Sequence, residues 1–286
     1  MKNILTVVLL TFSTIEAQEL ARIPVIGIVQ DLENDSLLYN SGYQYLVESI
    51  SKVISPRNVS EKQFKENLKR IKQLKINLYA FNLFMPGELK LVGLSVNEDS
   101  VLAYSQRVFQ RCKEADVKMI IWGSGGARRI PDGFDPIKAK NQFVTIARKV
   151  SALAKNYNIT LALENLNSTE TNFINTVAEA LAIVRTVDHP NFRLCADIYH
   201  MLKEAEAADI IEKAGGYLVH CDIAEKENRN PPGVLGQDFR PYLIALKKIK
   251  YAGKIIIESR WTTLAEQSKP AYNYLQKQID EVYNTK

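Results

Sequence analysis

NFRLCADIYHM, residues 191–201, is the stretch of this sequence that indicates the fold most directly. A short run with Phe192, Leu194 and Ala196 as its apolar residues ends in Asp197, and a helix-like segment that contains His200 follows. This order is typical of a buried strand whose last side chain points into a site at the edge of a sheet.

Three other apolar runs in the same half of the chain end in a side chain that can bind a metal. ITLALE ends at Glu164, GGYLVH ends at His220 and KIIIE ends at Glu258. Together with Asp197 they could meet in space only if their four strands lie side by side and parallel. The pattern therefore predicts a parallel sheet with a site at its carboxyl edge.

These four side chains supply three oxygen ligands and one nitrogen ligand. That mixture suits one divalent ion such as Mn2+, Mg2+ or Co2+, with Zn2+ as the borderline case. Strand alternation supports the grouping, because Ala162 shares a face with Glu164, and Ile256 with Glu258. A salt-bridged strand end is the ordinary alternative for either glutamate alone, but four such ends together favour a metal site.

The alternation of strands and helices predicts the fold class. About eight strands, most of them followed by a helix, fill the length that a single (β/α)8 barrel needs, and we assign residues 18–286 to it. A doubly wound open sheet is the rival. Such a sheet typically has a glycine-rich first turn, whereas the first strand here is followed by Gln30-Asp31-Leu32-Glu33.

Composition excludes several classes of protein. The 286 residues are 46% hydrophobic and 24% charged, with a formal charge of +5, as expected of a globular chain with a sizeable core. The lysines are scattered, and the absence of a basic block argues against a nucleic-acid partner. The three cysteines form neither a CxxC pair nor a disulfide pattern.

The first 17 residues are typical of a secretory signal peptide. Lys2 supplies the positive charge, Ile4 to Phe12 the short apolar region, and Thr14 to Ala17 a polar exit with a small last residue. The segment predicts export, to a periplasm, of a mature chain that starts near Gln18. No second long apolar run follows, so no membrane association is expected after cleavage.

The sequence resembles the xylose isomerase-like barrels, the sugar isomerase and epimerase group that includes the D-tagatose and D-psicose 3-epimerases. The matching positions are Glu164 in LALENLN, Asp197 and His200 in ADIYHM, His220 in VHCDI, Arg229 in NRNPPG and Glu258 in IIIES. The resemblance covers nearly the whole mature chain, and its motifs lie from Val117 onward.

The resemblance implies one metal ion bound by Glu164, Asp197, His220 and Glu258. It implies that the two glutamates act as the acid/base pair on a small sugar, and that Glu170, His200 and Arg229 contact the substrate. It also implies a homodimer as one oligomeric state. A structural histidine at a helix start and a surface arginine are the alternatives for His200 and Arg229.

Such a site would acidify the C–H next to a carbonyl by stabilising an enediolate. Return of the proton to the opposite face gives epimerisation, and return to the adjacent carbon gives aldose–ketose isomerisation. Trp122, at the end of another strand, could line the sugar, with packing as its alternative. The glycine-rich stretch Gly123 to Gly126 is interpreted as an active-site loop.

Three other functions are weighed. Endonuclease IV-type repair enzymes share the barrel but bind three zinc ions, whereas this chain has only His189, His200 and His220. A non-catalytic periplasmic sugar-binding barrel is disfavoured because all four ligands are kept. A lyase or hydrolase that acts on a 3-keto-glycoside would use the same C–H acidification, and the sequence leaves it open.

Overall fold

Eight parallel strands close into one barrel in chain order, as predicted. The computed structural model describes residues 22–284, so the predicted signal peptide lies outside the described residues. The strands are β1 (Val25–Val29), β2 (Tyr45–Ser49), β3 (Asn77–Asn82), β4 (Met119–Trp122), β5 (Thr160–Glu164), β6 (Phe192–Asp197), β7 (Leu218–Ile223) and β8 (Lys254–Ile257). β1 pairs with both β2 and β8, which completes the ring.

Helices connect the strands and form the outer layer. They are α1 (Asp35–Ser41), α2 (Ile50–Val53), α3 (Glu61–Ile71), α4 (Glu98–Glu114), α5 (Gly125–Arg128), α6 (Pro136–Lys155), α7 (Val177–Val187), α8 (Ile198–Lys203), α9 (Asp209–Ala214), α10 (Arg240–Lys248) and α11 (Leu264–Tyr283). No helix in residues 22–284 combines the length and the apolar character that crossing a membrane requires.

Strand alternation divides the core into two parts. Small and branched side chains fill the barrel interior: Val47, Ala80, Ile121, Ala162, Cys195 and Ile256. The alternate residues face outward and pack against the helices in a much larger apolar cluster. Because Glu164, Asp197 and Asp222 lie at the carboxyl ends of their strands, those ends form the polar mouth of the barrel.

One connection differs from the expected pattern. The periodicity predicts a single helix from Met201 to Ala214, but the structure has two short helices, α8 and α9. Ala205 has a φ of 53°, which interrupts the helix. Glu206 accepts hydrogen bonds from the backbone N–H groups of Val177 and Ala178, so the break places a carboxylate on the first turn of α7.

Candidate active site

Two glutamates that are far apart in the sequence meet at the mouth of the barrel. Glu164 is the last residue of β5, and Glu258 directly follows β8. A carboxylate oxygen of each, together with one of Asp222, lies within 4.8 Å of the others. The structure therefore brings together the two predicted acid/base residues and adds a third carboxylate that the sequence interpretation did not include.

Asp197 and His200 lie beside this group. His200 is fully buried, with its Nε2 3.3 Å from Asp197 Oδ2 and 3.9 Å from Glu164 Oε1. The backbone N–H of Asn167 donates to His200 Nδ1, which leaves the ring proton on Nε2. Burial, and then the charge of Arg229, lower the pKa of His200 to about 4. The neutral ring thus turns its N–H towards the carboxylates.

His220 lies deeper in the barrel. Its Nε2 is 2.8 Å from Asp222 Oδ1, and its ring stacks on Tyr79 with centroids 5.8 Å apart. Among the described residues it groups with Cys195 and Asp222, and it joins no group that contains Glu164, Asp197 or Glu258. The structure thus brings together three of the four predicted ligands, Glu164, Asp197 and Glu258. His220 lies deeper in the barrel than Asp222.

Arg229 reaches into the site from the loop after β7. Its Nη2 lies 3.1 Å from Asp197 Oδ2 and 2.8 Å from Glu258 Oε2, and its Nη1 lies 3.7 Å from Glu170 Oε1. Both Asn228 and Arg229 have φ near 56°, a left-handed conformation that costs energy in residues other than glycine. The loop conformation turns the arginine inward, so it is not a surface residue.

The electrostatics of this cluster are dominated by its carboxylates. Burial is the first cause that raises the pKa values of Glu164, Asp197 and Asp222, and repulsion from Glu258 adds to the raised pKa of Glu164 and of Asp222. One guanidinium cannot balance four carboxylates. A dication with oxygen ligands fits both the charge and the donor set.

Trp122 is not in the substrate pocket, contrary to the prediction. It is fully buried and packs edge-on against Phe84 and Phe192, between the barrel and the helices. Strand alternation gives the reason, because the preceding Ile121 points into the barrel and Trp122 must point outward. Glu170, in contrast, lies at the rim with its side chain 40% exposed.

The glycine loop after β4 borders the site, as predicted. A Cβ at Gly123 would lie 2.2 Å from Glu164 Oε2, so only glycine lets this carboxylate keep its position. Arg128 follows in the loop but is fully buried, and its guanidinium donates to the backbone oxygens of Trp122 and Ile174. It is therefore not available to bind a phosphate.

Asp222 and Asn82 are the site residues that the sequence interpretation missed. Asp222 lies two residues after His220, on the same face of the strand, and this spacing could have identified it. Asn82 ends β3 and donates from Nδ2 to Glu258 Oε1 at 3.3 Å. No sequence pattern singles it out.

An open cavity of about 430 Å3 adjoins Glu258 and Arg229. The connections after β1, β2, β3 and β8 line it with Asp31, Lys52, Leu83 and Arg260 among other residues. Leu83 is 57% exposed and has a φ of 53°. The mouth thus offers both charged and apolar surface beyond the carboxylates.

Two curated relatives share part of this sequence. The chain is 30% identical over 179 residues to a D-psicose 3-epimerase of Agrobacterium fabrum, which is 60% of this chain and 62% of that one. It is 35% identical over 127 residues to an L-ribulose 3-epimerase of Methylomonas, which is 43% and 44% of the two chains. The matches thus span less than two thirds of these relatives.

Solved structures share the fold. An L-ribulose 3-epimerase aligns with a TM-score of 0.77 at 20% identity, over 91% of this chain and 95% of its own. A 3-keto-D-glucoside 4-epimerase from E. coli aligns with a TM-score of 0.74 at 19% identity, over 88% and 98%. The family model described as xylose isomerase-like TIM barrel matches residues 40–278. The chain belongs to the xylose isomerase-like TIM barrel family.

Proposed function

We propose that this protein is a divalent-metal-dependent epimerase or isomerase of a non-phosphorylated sugar. The observation that carries the proposal is the meeting of Glu164, Asp222 and Glu258 oxygens within 4.8 Å at the mouth of the barrel, beside Asp197. The ketose 3-epimerases among its relatives support the same reaction class.

Glu164, Asp197, Glu258 and one residue of β7 would hold the ion. When bound, it would supply Lewis acidity that lowers the pKa of the C–H next to a substrate carbonyl. The ligand types suit Mn2+ and Mg2+ best, then Co2+, and Zn2+ least.

The two glutamates are assigned the proton transfers. Glu258 has a partly exposed side chain and is oriented by Arg229 and Asn82, so its oxygens face the substrate space. Glu164 is buried at the end of β5. One carboxylate removes the proton; its partner returns one to the other face, or the same carboxylate returns it to the adjacent carbon.

His200 and Arg229 are assigned the orientation of substrate oxygens. The Nε2–H of His200 and the guanidinium of Arg229 both point into the carboxylate cluster, where a polar substrate would arrive. Both are held by other contacts, His200 by Asn167 and Arg229 by the backbone oxygen of Glu258. Such prior positioning lowers the cost of orienting the substrate.

Solvent-proton exchange tests the proposal. The protein is incubated in D2O with D-psicose, L-ribulose or D-tagatose, and NMR follows loss of the C3 proton and growth of the epimer. We expect exchange in at least one ketose, its loss on chelation and its return with Mn2+. Glu258→Gln is the matched inactive control. Absence of exchange in every ketose and keto-glycoside, with Mn2+ present, would refute the proposal.

A 3-keto-glycoside is the second candidate substrate, acted on by epimerisation or by elimination. The cavity of about 430 Å3 favours it, because the cavity extends from Glu258 and Arg229 to Asp31, Lys52 and Leu83, beyond the groups that a free ketose at the carboxylates would contact. Leu83 offers an apolar surface there for an aglycone or a second ring.

The two substrates are separated by comparing kcat/KM for a free ketose and for a 3-keto-glucoside in wild type, Leu83→Ala and Leu94→Ala. Leu94 is 93% exposed and lies outside this cavity, so it is the matched control. If the cavity holds the aglycone or second ring, only Leu83→Ala lowers kcat/KM, and only for the glycoside. A wild type that turns over only the free ketose, or a Leu83→Ala variant whose kcat/KM for the glycoside equals that of the wild type, would exclude the second candidate.

Export and dimerisation stay proposals of the same kind. Residues 1–17 are proposed to direct the chain to the periplasm, which fractionation of cells that express the full chain tests. A homodimer is tested by sedimentation of the mature protein.

A further inference from the structure

β7 presents two interior-facing side chains that could bind a metal, His220 and Asp222. Register places His220 opposite Cys195 and Asp222 opposite Asp197. Two residues along a strand span about 6–7 Å. Asp222 therefore lies at the level of a predicted ligand, whereas His220 lies one layer further into the barrel.

The contacts of Asp222 also distinguish it from His220 as a possible metal ligand. An oxygen of Asp222 lies within 4.8 Å of oxygens of Glu164 and Glu258, while within the described residues His220 shares no such group with either glutamate. Asp222 also has hydrogen-bond donors behind it: His220 Nε2 at 2.8 Å from Oδ1 and Cys195 Sγ at 3.3 Å from Oδ2. Each oxygen of a carboxylate keeps a second lone pair when it accepts one such bond.

We infer that Asp222 is the metal ligand supplied by β7, and that His220 is a positioning residue that holds the Asp222 carboxylate. The inference rests on the proposed function in one respect, that a dication binds at this mouth. It gives a ligand set of four carboxylates, from Glu164, Asp197, Asp222 and Glu258.

This assignment changes the class of ion. Imidazole favours Zn2+ and its neighbours, whereas carboxylates and water favour Mg2+, Ca2+ and Mn2+. It also reverses the common arrangement in which a carboxylate orients a ligating histidine. Here the buried histidine orients the ligating carboxylate, and its stacking on Tyr79 fixes the ring.

Metal binding, measured without turnover, tests the inference. Chelator-treated full-length protein is titrated with MnCl2 and with ZnCl2 by calorimetry. We expect Asp222→Asn to weaken Mn2+ binding by about 100-fold or more, and His220→Gln by about tenfold, as for a residue that supports a ligand. Asp222→His is expected to raise Zn2+ affinity relative to Mn2+ by about tenfold or more. His189→Gln, outside the site, is the matched control.

Electron spin-echo spectroscopy of bound Mn2+ gives a second readout, in which a coordinated imidazole nitrogen modulates the echo. We expect wild type and His220→Gln to give the same 14N modulation. Loss of modulation in His220→Gln, or equal Mn2+ affinity of wild type and Asp222→Asn, would overturn the inference while leaving the proposed function in place. Failure of the wild type to bind any dication would overturn both. Circular dichroism verifies that each variant is folded.

Discussion

Replacement of Gly123 by alanine should displace the carboxylate of Glu164, a proposed acid/base group, without unfolding the barrel. The new Cβ would lie 2.2 Å from Glu164 Oε2 and 3.2 Å from its Cδ. A carbon–oxygen contact is ordinarily about 3.3 Å or longer. The carboxylate must therefore retreat by roughly 1 Å.

The size of the effect follows from that displacement. A misplacement of about 1 Å at a reacting group can lower the rate about 100-fold, so we expect kcat for sugar proton exchange in Gly123→Ala to fall by about that factor. The free energy of unfolding should change by no more than about 1 kcal/mol, because loss of a glycine restricts the unfolded chain and offsets part of the crowding.

The assay is the D2O exchange measured by NMR at saturating sugar and Mn2+, together with urea unfolding. Gly126→Ala is the control from the same loop, since its Cβ would meet the Cα of Gly87 at an ordinary 3.5 Å. That variant should keep wild-type exchange. If Gly123→Ala were as active as Gly126→Ala, Glu164 would not be held where the proton transfer needs it.

Three further predictions concern charge and metal. Glu258→Gln should abolish exchange and leave the circular dichroism spectrum unchanged; near-normal turnover would remove this residue from the mechanism. Burial raises the pKa of Glu48 to about 7, above its unfolded value. Because the folded state binds the proton more tightly, the free energy of unfolding of the wild type should fall by up to about 3 kcal/mol as the pH rises from about 4.5 through 7. Urea unfolding of Glu48→Gln at pH 5 and pH 8 should not show this decrease in the free energy of unfolding. If the variant and the wild type had the same pH dependence, Glu48 would not be its source. Returning Mn2+ to chelated protein at about 100 times its Kd should add about 2.7 kcal/mol of stability, and calorimetry that shows no shift in Tm would contradict a bound ion.

The ends of the strands are the part of the sequence that best predicts the fold and the site. The runs that end at Glu164 and Asp197 have apolar residues directly before the carboxylate, so their ends are visible in the sequence and match β5 and β6. β7 is different, because LVHCDI stays mostly apolar beyond His220. The strand end that the sequence predicts at His220 therefore lies inside the observed strand.

Register and loop conformation are what the sequence could not provide. Every residue of MIIW is apolar, so the sequence of β4 does not show which of its faces points into the barrel. The prediction that Trp122 lines the pocket fails for this reason. The position of Arg229 depends on two successive left-handed residues; asparagine favours that conformation, but arginine does not, so the sequence does not predict it at Arg229. The contact of Asn82 with Glu258 joins residues 176 positions apart.

Arg229 gives the cluster an internal counter-ion. Acidic groups crowded at the rim would otherwise repel one another and push their strands apart. Since its guanidinium bridges Asp197 and Glu258, the proposed dication would have to displace contacts that already exist. Loading would then be an exchange reaction with a smaller net gain than simple capture, and the ion would stay replaceable.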